Sequence, residues 1–291
     1  MALNMDQIRQ RLASAEGKYR RGVATGPGGV GPNNILVDTG LSDLTHNDQL
    51  VGALLYMQET VDGLAPWPEY RRVSAYNAAT QTITVAPAFS NPVEAGDCYD
   101  LFFSPLEMTD WNGIINRAIA SAWPELYARA WTDPAIVAGQ REYATHAWAH
   151  ALDQVTLRPG GTFDGWPEEP LVYDQDYRVV GVPGVDLRVE LLRRVEDTTF
   201  RLVFYFRRRY PELAPWLPFG LVDTTDLDPD YLIAAARAEY HAAMAGTTRG
   251  QAEYADHERM MAYWRGEAQR VKQALAMQLL ANMPVGGGKE K

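Results

Sequence analysis

An α+β fold follows from three features of the sequence. Short runs with β character, separated by turns, fill residues 35–103. A strongly amphipathic helical stripe begins at Trp111, and β signals return after it as far as Arg207. From Asp228 the pattern becomes helical and stays so to Met283. Strands and helices thus fall in blocks, which describes segregated layers, not an alternating parallel βαβ chain. The expected architecture is a small N-terminal β barrel or sandwich, then a β layer packed on helices, then a C-terminal helical hairpin ending in a long helix. The expected segments are an N-terminal helix (1–22), a small β domain (23–104), a helix with a sandwich-like β region (105–222), the hairpin (223–283) and a flexible tail (284–291).

Taken in order, Leu3, Ile8, Leu12 and Ala15 lie near one helical stripe that stops at Gly17. The run Gly26-Pro27-Gly28-Gly29-Val30-Gly31-Pro32 is a linker or exposed loop. It is not a phosphate-binding loop, because no Gly-Lys-Ser/Thr follows and no apolar strand leads in. Five strands are expected next, at Ile35–Asp38, Leu54–Val61, Arg72–Tyr76, Thr82–Val85 and Cys98–Phe103. Thr82–Val85 has the period-two alternation of a half-buried strand.

At Thr109 the period changes. Thr109 is the expected N-cap, and Asp110 lies where a carboxylate suits the helix dipole. Trp111, Ile114, Ile115, Ala118, Ile119, Ala122 and Leu126 form an i, i+3, i+4, i+7 stripe, so the helix is expected to run to about Asp133-Pro134. Trp111, Ile115 and Ile119 are its core residues. Strands are expected again at 142–147, 154–158, 177–182, 185–192 and 199–207, as a second β layer packed on the Trp111 helix. In the last of them Phe200, Leu202, Phe204 and Phe206 alternate with Arg201, Val203, Tyr205 and Arg207.

Asp228-Pro229 has the form of an N-cap followed by a first-turn proline. Tyr231, Ala234, Ala235, Ala238 and Ala242 recur at helical spacing before a break at Gly246–Gly250. The second helix carries Tyr254, Met261, Ala268 and Leu275 seven apart, with Trp264 and Val271 between them. From Gln251 to Asn282 it would span roughly 48 Å. Tyr254, Met261, Trp264, Val271 and Leu275 are therefore expected as helix contacts, within the chain or with a second copy.

Composition narrows the function classes. The 291 residues carry a net charge of −10, from 27 basic and 37 acidic side chains. That is a poor match to wrapping nucleic acid, which needs clustered positive charge. Cys98 is the single cysteine, expected as a small core residue, so no intramolecular disulfide or cysteine cluster can form. No run of eighteen apolar residues and no signal-peptide pattern occurs, which predicts synthesis in the cytoplasm and no membrane span.

Chemistry-bearing patterns are weak. His146 and His150 lie four apart, but Ala147 stands where a zinc-protease motif has glutamate, and no third ligand is evident. Asp174, Asp176, Glu168 and Glu169 are acids beside Pro and turn residues. Asp223–Asp230 holds four aspartates without the glycine and terminal glutamate of a calcium loop. Arg207, Arg208 and Arg209 could contact phosphate or an acidic partner surface, or form the solvated end of a strand. The expectation is a non-enzyme with no catalytic residue, cofactor or metal.

The order of elements resembles a family. It is carried by Ile35-Leu36-Val37-Asp38, Arg72-Val73-Ser74-Ala75-Tyr76, Thr82-Ile83-Thr84-Val85 with Ala88-Phe89, and Gly96-Asp97-Cys98-Tyr99. The segment Trp111-Asn112-Gly113-Ile114-Ile115-Asn116-Arg117-Ala118-Ile119 follows, with Trp123-Pro124-Glu125-Leu126-Tyr127, Arg141-Glu142-Tyr143 and the terminal helical pair. Together these are similar to the neck proteins of tailed bacteriophages, the head–tail connectors or adaptors that form a ring beneath the portal. The resemblance implies a homo-oligomeric ring, twelvefold like the portal, in the neck of the virion. Its partners would be the portal protein, the next neck or tail protein, and DNA passing without sequence-specific binding. The alternatives are another tail, baseplate or receptor-binding virion part, and a polysaccharide hydrolase using Asp174 and Asp176.

Overall fold

The computed structural model describes residues 2–28, 33–64, 66–146, 149–159, 169–192, 198–214 and 224–281. The expected tail at 284–291 and Trp216 lie outside them. The chain divides into two compact units. The first comprises Met1–Ile119 and Glu212–Gln269, the second Ala120–Pro211 and Arg270–Lys291. Both are discontinuous in sequence, so the division does not follow the five consecutive segments above. The cause is the C-terminal hairpin, which contributes residues to each unit.

In the first unit, a two-residue strand β1 (Leu3–Asn4) leads into α1 (Met5–Ala15). Asn4 and Gln7 form a reciprocal capping box, and Gly17 stops the helix at φ +65°, where L-residues are disfavoured. β2 (Tyr19–Val23), β3 (Ile35–Val37), β4 (Leu54–Glu59), β5 (Tyr70–Asn77), β6 (Thr82–Ala86) and β7 (Cys98–Phe102) form one antiparallel sheet, ordered β2-β7-β4-β5-β6-β3. Its edges are tied beyond β2, where Gly26 bridges Val37 and the Thr25 N–H donates to the Val37 carbonyl at 2.8 Å. The sheet therefore curls on itself, around Leu36, Leu55, Met57, Val73, Ile83, Val85, Tyr99 and Leu101. Inside it the Tyr99 hydroxyl donates to buried Asp38 at 2.6 Å. Burial and then that carboxylate push the Tyr99 pKa far up.

β2 is a sixth strand where five were expected. Tyr-Arg-Arg-Gly-Val has no apolar alternation, and its glycine weakens strand propensity. The glycine is required nonetheless: a Cβ on Gly22 would lie 2.3 Å from the Tyr99 ring. Cys98 is half-buried, not a core residue.

α2 (Met108–Ala120) starts one residue before the expected cap, so Thr109 is inside the helix. The Asp110 carboxylate instead accepts from the Glu107 N–H at 2.9 Å, reaching back over the first turn. Trp111, Ile115 and Ile119 are buried as expected. Trp111 stacks on Tyr240 with centroids 5.3 Å apart and meets Phe102 at 5.6 Å. Its partners are therefore β7 and the helical hairpin of its own unit, which corrects the expectation that α2 backs the second β layer. The helix also stops at Ala120, not near Asp133. Pro124 cannot continue it, lacking an N–H and clashing with the preceding turn. Trp123, Tyr127 and Trp131 thus lie beyond the helix.

The hairpin follows a short β15 (Thr224–Thr225), which pairs with β1. α3 (Pro229–Thr247) is N-capped by Asp228, whose carboxylate accepts from the N–H groups of Asp230 and Tyr231. α3 continues through Gly246, so the break comes after Thr247. α4 (Tyr254–Ala281) has 28 residues, roughly 42 Å.

The second unit holds β8 (Ala128–Thr132), β9 (Glu142–Ala144), β10 (Ala151–Pro159), β11 (Glu169–Pro170), β12 (Tyr177–Val180), β13 (Arg188–Leu191) and β14 (Phe200–Arg208). They form a four-stranded sheet, β11-β10-β14-β8, and a three-stranded one, β12-β13-β9. Tyr143, Val189 and Leu191 from one sheet and Val155, Leu202, Phe204 and Phe206 from the other share a single core, so this is a β-sandwich.

Candidate functional site

The face of α4 follows its sequence. Tyr254, Met261, Trp264, Val271 and Leu275 are each half-buried on one stripe, and along it only Ala268 and Lys272 are fully buried among the described residues. Tyr263 and Met277, two heptads apart on another flank, are 56% and 66% exposed. Lys272 is buried on this stripe although it was not among the expected contacts. Its ammonium donates to the Ser121 carbonyl at 2.8 Å and pairs with Glu125 at 2.6 Å, and that pairing lowers the Glu125 pKa.

In the first unit, the hairpin is fastened by charge. On α3, Arg237 donates to Glu16 beyond the end of α1 at 2.5 Å, and its guanidinium lies 3.7 Å from the centroid of the Trp264 ring. The guanidinium is thus held between a carboxylate and an indole face, where both attractions add. One turn on, His241 is buried, with Nε2 3.3 Å from the Glu16 carboxylate but out of line for a hydrogen bond. Its Nδ1 lies 3.0 Å from Nδ1 of His257 on α4. At that separation one ring donates and the other accepts, so the two cannot both be imidazolium without parting.

Burial raises the Glu16 pKa, but the nearby His241 and the hydrogen bond and charge of Arg237 outweigh it and leave it lowered. The His257 pKa is lowered by burial and then by His241, against the opposing pull of Glu16, Asp256 and Glu253. A histidine with a lowered folded pKa contributes stability above its unfolded value, near 6.5, that is lost as pH falls below it. A lowered glutamate contributes stability above its own unfolded value that is lost as pH falls toward the folded one. Both work in the same direction. The melting temperature of the first unit should fall from about pH 6.5 downward, with a second loss below about pH 4.5. In His257→Gln the first loss should vanish and the second remain, as followed by calorimetry across pH.

In the second unit, Arg207 pairs with Asp153 at 2.6 Å and lies over the Tyr127 ring at 4.9 Å. Arg209 is exposed and reaches over Trp123 at 5.9 Å, while the Nε of half-buried Arg208 has no hydrogen-bond partner among the described residues. The three consecutive arginines therefore occupy three different environments, not one patch. His146 stacks on Phe206 and His150 meets Trp123, each in a loop, so the helical spacing they would need for a shared ligand is absent. Among the described residues, no group of three or more His, Cys, Asp or Glu side chains could hold a metal ion. Asp176 accepts from the Val172 N–H at 2.9 Å and Asp174 has φ +59°, so both shape a turn before β12. Glu168 and Asp223 lie outside the described residues. No described helix is long and apolar enough to cross a membrane.

The sequence reading missed Glu16, Arg237, His241 and His257. Arg237, His241 and His257 sit on helices whose apolar stripes are visible and Glu16 just past the end of α1, but only tertiary packing brings the four together. β8, with Arg129 and Trp131, falls where the sequence predicts the end of the Trp111 helix.

No protein-family model matches this chain, and no curated protein does. Among solved structures, a similar chain is the regulatory domain of Toxoplasma gondii PKA with cAMP. It has 10% identity over 66% of this chain and 78% of that one, with a TM-score of 0.14, too slight a likeness to carry an argument.

Proposed function

We propose that this chain is a structural virion protein of a tailed bacteriophage, a head–tail connector or adaptor that forms a ring at the portal and joins capsid to tail around a DNA channel. The observation that carries the reading is α4. Twenty-eight residues of helix present a half-buried stripe and, on another flank, the exposed side chains of Tyr263 and Met277. Large apolar groups spaced along one flank of a long helix suit burial against a second copy. A contact that joins unlike surfaces repeats until a ring closes. The acidic balance of the chain suits a wall along which DNA passes without sticking.

The test is substitution on the exposed flank. Tyr263→Glu with Met277→Glu should leave circular dichroism and melting unchanged while abolishing oligomers, alone or on a portal, in negative-stain images. Rings that survive the double substitution would remove α4 from the interface.

A further inference from the structure

The face of the β11-β10-β14-β8 sheet turned away from the sandwich core buries Val203 and Thr156 at its middle and carries opposed like charges around them. Arg129 on β8 lies directly opposite Arg207 on β14, and Arg158 on β10 directly opposite Arg201 on β14. Like charges in directly opposed positions destabilise a sheet. In the neighbouring sheet the same kind of position holds opposite charges, Arg178 against Glu190 at 2.7 Å. Asp133 relieves one arginine pair, at 3.1 Å from Arg158 and 3.3 Å from Arg201, and Asp153 takes Arg207. Arg129 is exposed and makes no hydrogen bond or ion pair among the described residues. Between the two arginine poles lies the cross-strand pair Trp131 and Tyr205. Trp131 is 58% exposed, and the Arg158 guanidinium lies 5.9 Å from its ring centroid. A concavity of about 390 Å³ opens beside this face, lined in part by Arg129, Asp153, Gln154, Tyr205 and Arg207.

Four guanidinium groups thus face two carboxylates around an exposed indole, in a chain whose net charge is −10. From Arg201 to Arg207 the strand spans roughly 20 Å. We infer that this face binds single-stranded nucleic acid, with phosphates at the two arginine poles and an unpaired base stacked on Trp131. A positive surface interleaved with aromatic rings is the general means of holding a single strand, and a base–indole stack is indifferent to sequence. A duplex offers this face phosphates only, because its bases are already stacked. An acidic protein segment would engage the arginines and leave the indole unused. The footprint takes on the order of four nucleotides.

The inference does not depend on the neck reading and needs no ring. The full chain is titrated into three labelled probes, read by fluorescence anisotropy: oligothymidylate, a duplex of equal length and polyglutamate. Oligothymidylate should bind in preference to the other two. Its affinity should fall about sevenfold between about 50 and 200 mM salt, as about two neutralised phosphates require. Trp131→Ala should weaken it about tenfold or more, with a smaller effect on the duplex. Arg129→Glu, at an exposed position without partners among the described residues, should weaken it about tenfold and flatten the salt dependence. Preference for duplex or polyglutamate, absence of binding at low salt, or unchanged affinity in both variants would overturn the assignment.

Discussion

Trp111→Ala is expected to destabilise the first unit by about 3–5 kcal/mol, the range for removing a fully buried tryptophan. The indole is wholly inaccessible, stacked on Tyr240 from α3 and tilted against Phe102 from β7. Its loss leaves a cavity where the curled sheet, α2 and the hairpin meet. The chain has two compact units, so a single unfolding free energy is not the right quantity. Denaturant unfolding should be followed by hydrogen exchange resolved along the chain. Protection should fall in β4–β7 and α3 and hold in β10 and β14. Uniform loss across both units, or none, would show that Trp111 does not hold the first core in the way described.

Arg237→Ala should cost a comparable amount, about 3–5 kcal/mol, for a different reason. The substitution leaves the Glu16 side chain, only 9% exposed, without the guanidinium that pairs with it, and uncovers the face of Trp264. Most of the cost is the stranded carboxylate, not the lost attraction. Glu16→Gln combined with Arg237→Met should therefore be less destabilising than the sum of the single changes, since the pair then leaves no buried charge. Chemical denaturation of the four proteins in the cycle measures the coupling. Additive effects would mean that Glu16 is solvated and that the ion pair contributes little.

These two sites show what was legible in the sequence. The Trp111 stripe was readable because a buried helix face repeats every three to four residues, and Asp228-Pro229 because capping is a local transaction. The partners of Trp111 were not readable. Periodicity states that a face is buried and not against what, so α2 was assigned to the wrong β layer. The end of α2 was misjudged because Ala122 and Leu126 continue its stripe in phase, while Pro124 between them ends it. β2 was hidden by Gly22, whose missing side chain is explained only by the Tyr99 ring that approaches it. The two candidate surfaces differ in the same way. The α4 stripe was legible as a seven-residue recurrence. The Glu16–Arg237–His241–His257 cluster draws on three elements, and the arginine poles of the sandwich draw on three strands whose register no local pattern encodes.

Under the proposed function, this chain assembles on a portal. The most direct measurement is the mass of the purified chain in solution, alone and mixed with a portal protein. A defined ring on the portal is expected, with a subunit number matching the portal's own symmetry. A stable trimer with no affinity for the portal would contradict it and shift the assignment to a tail or receptor-binding part.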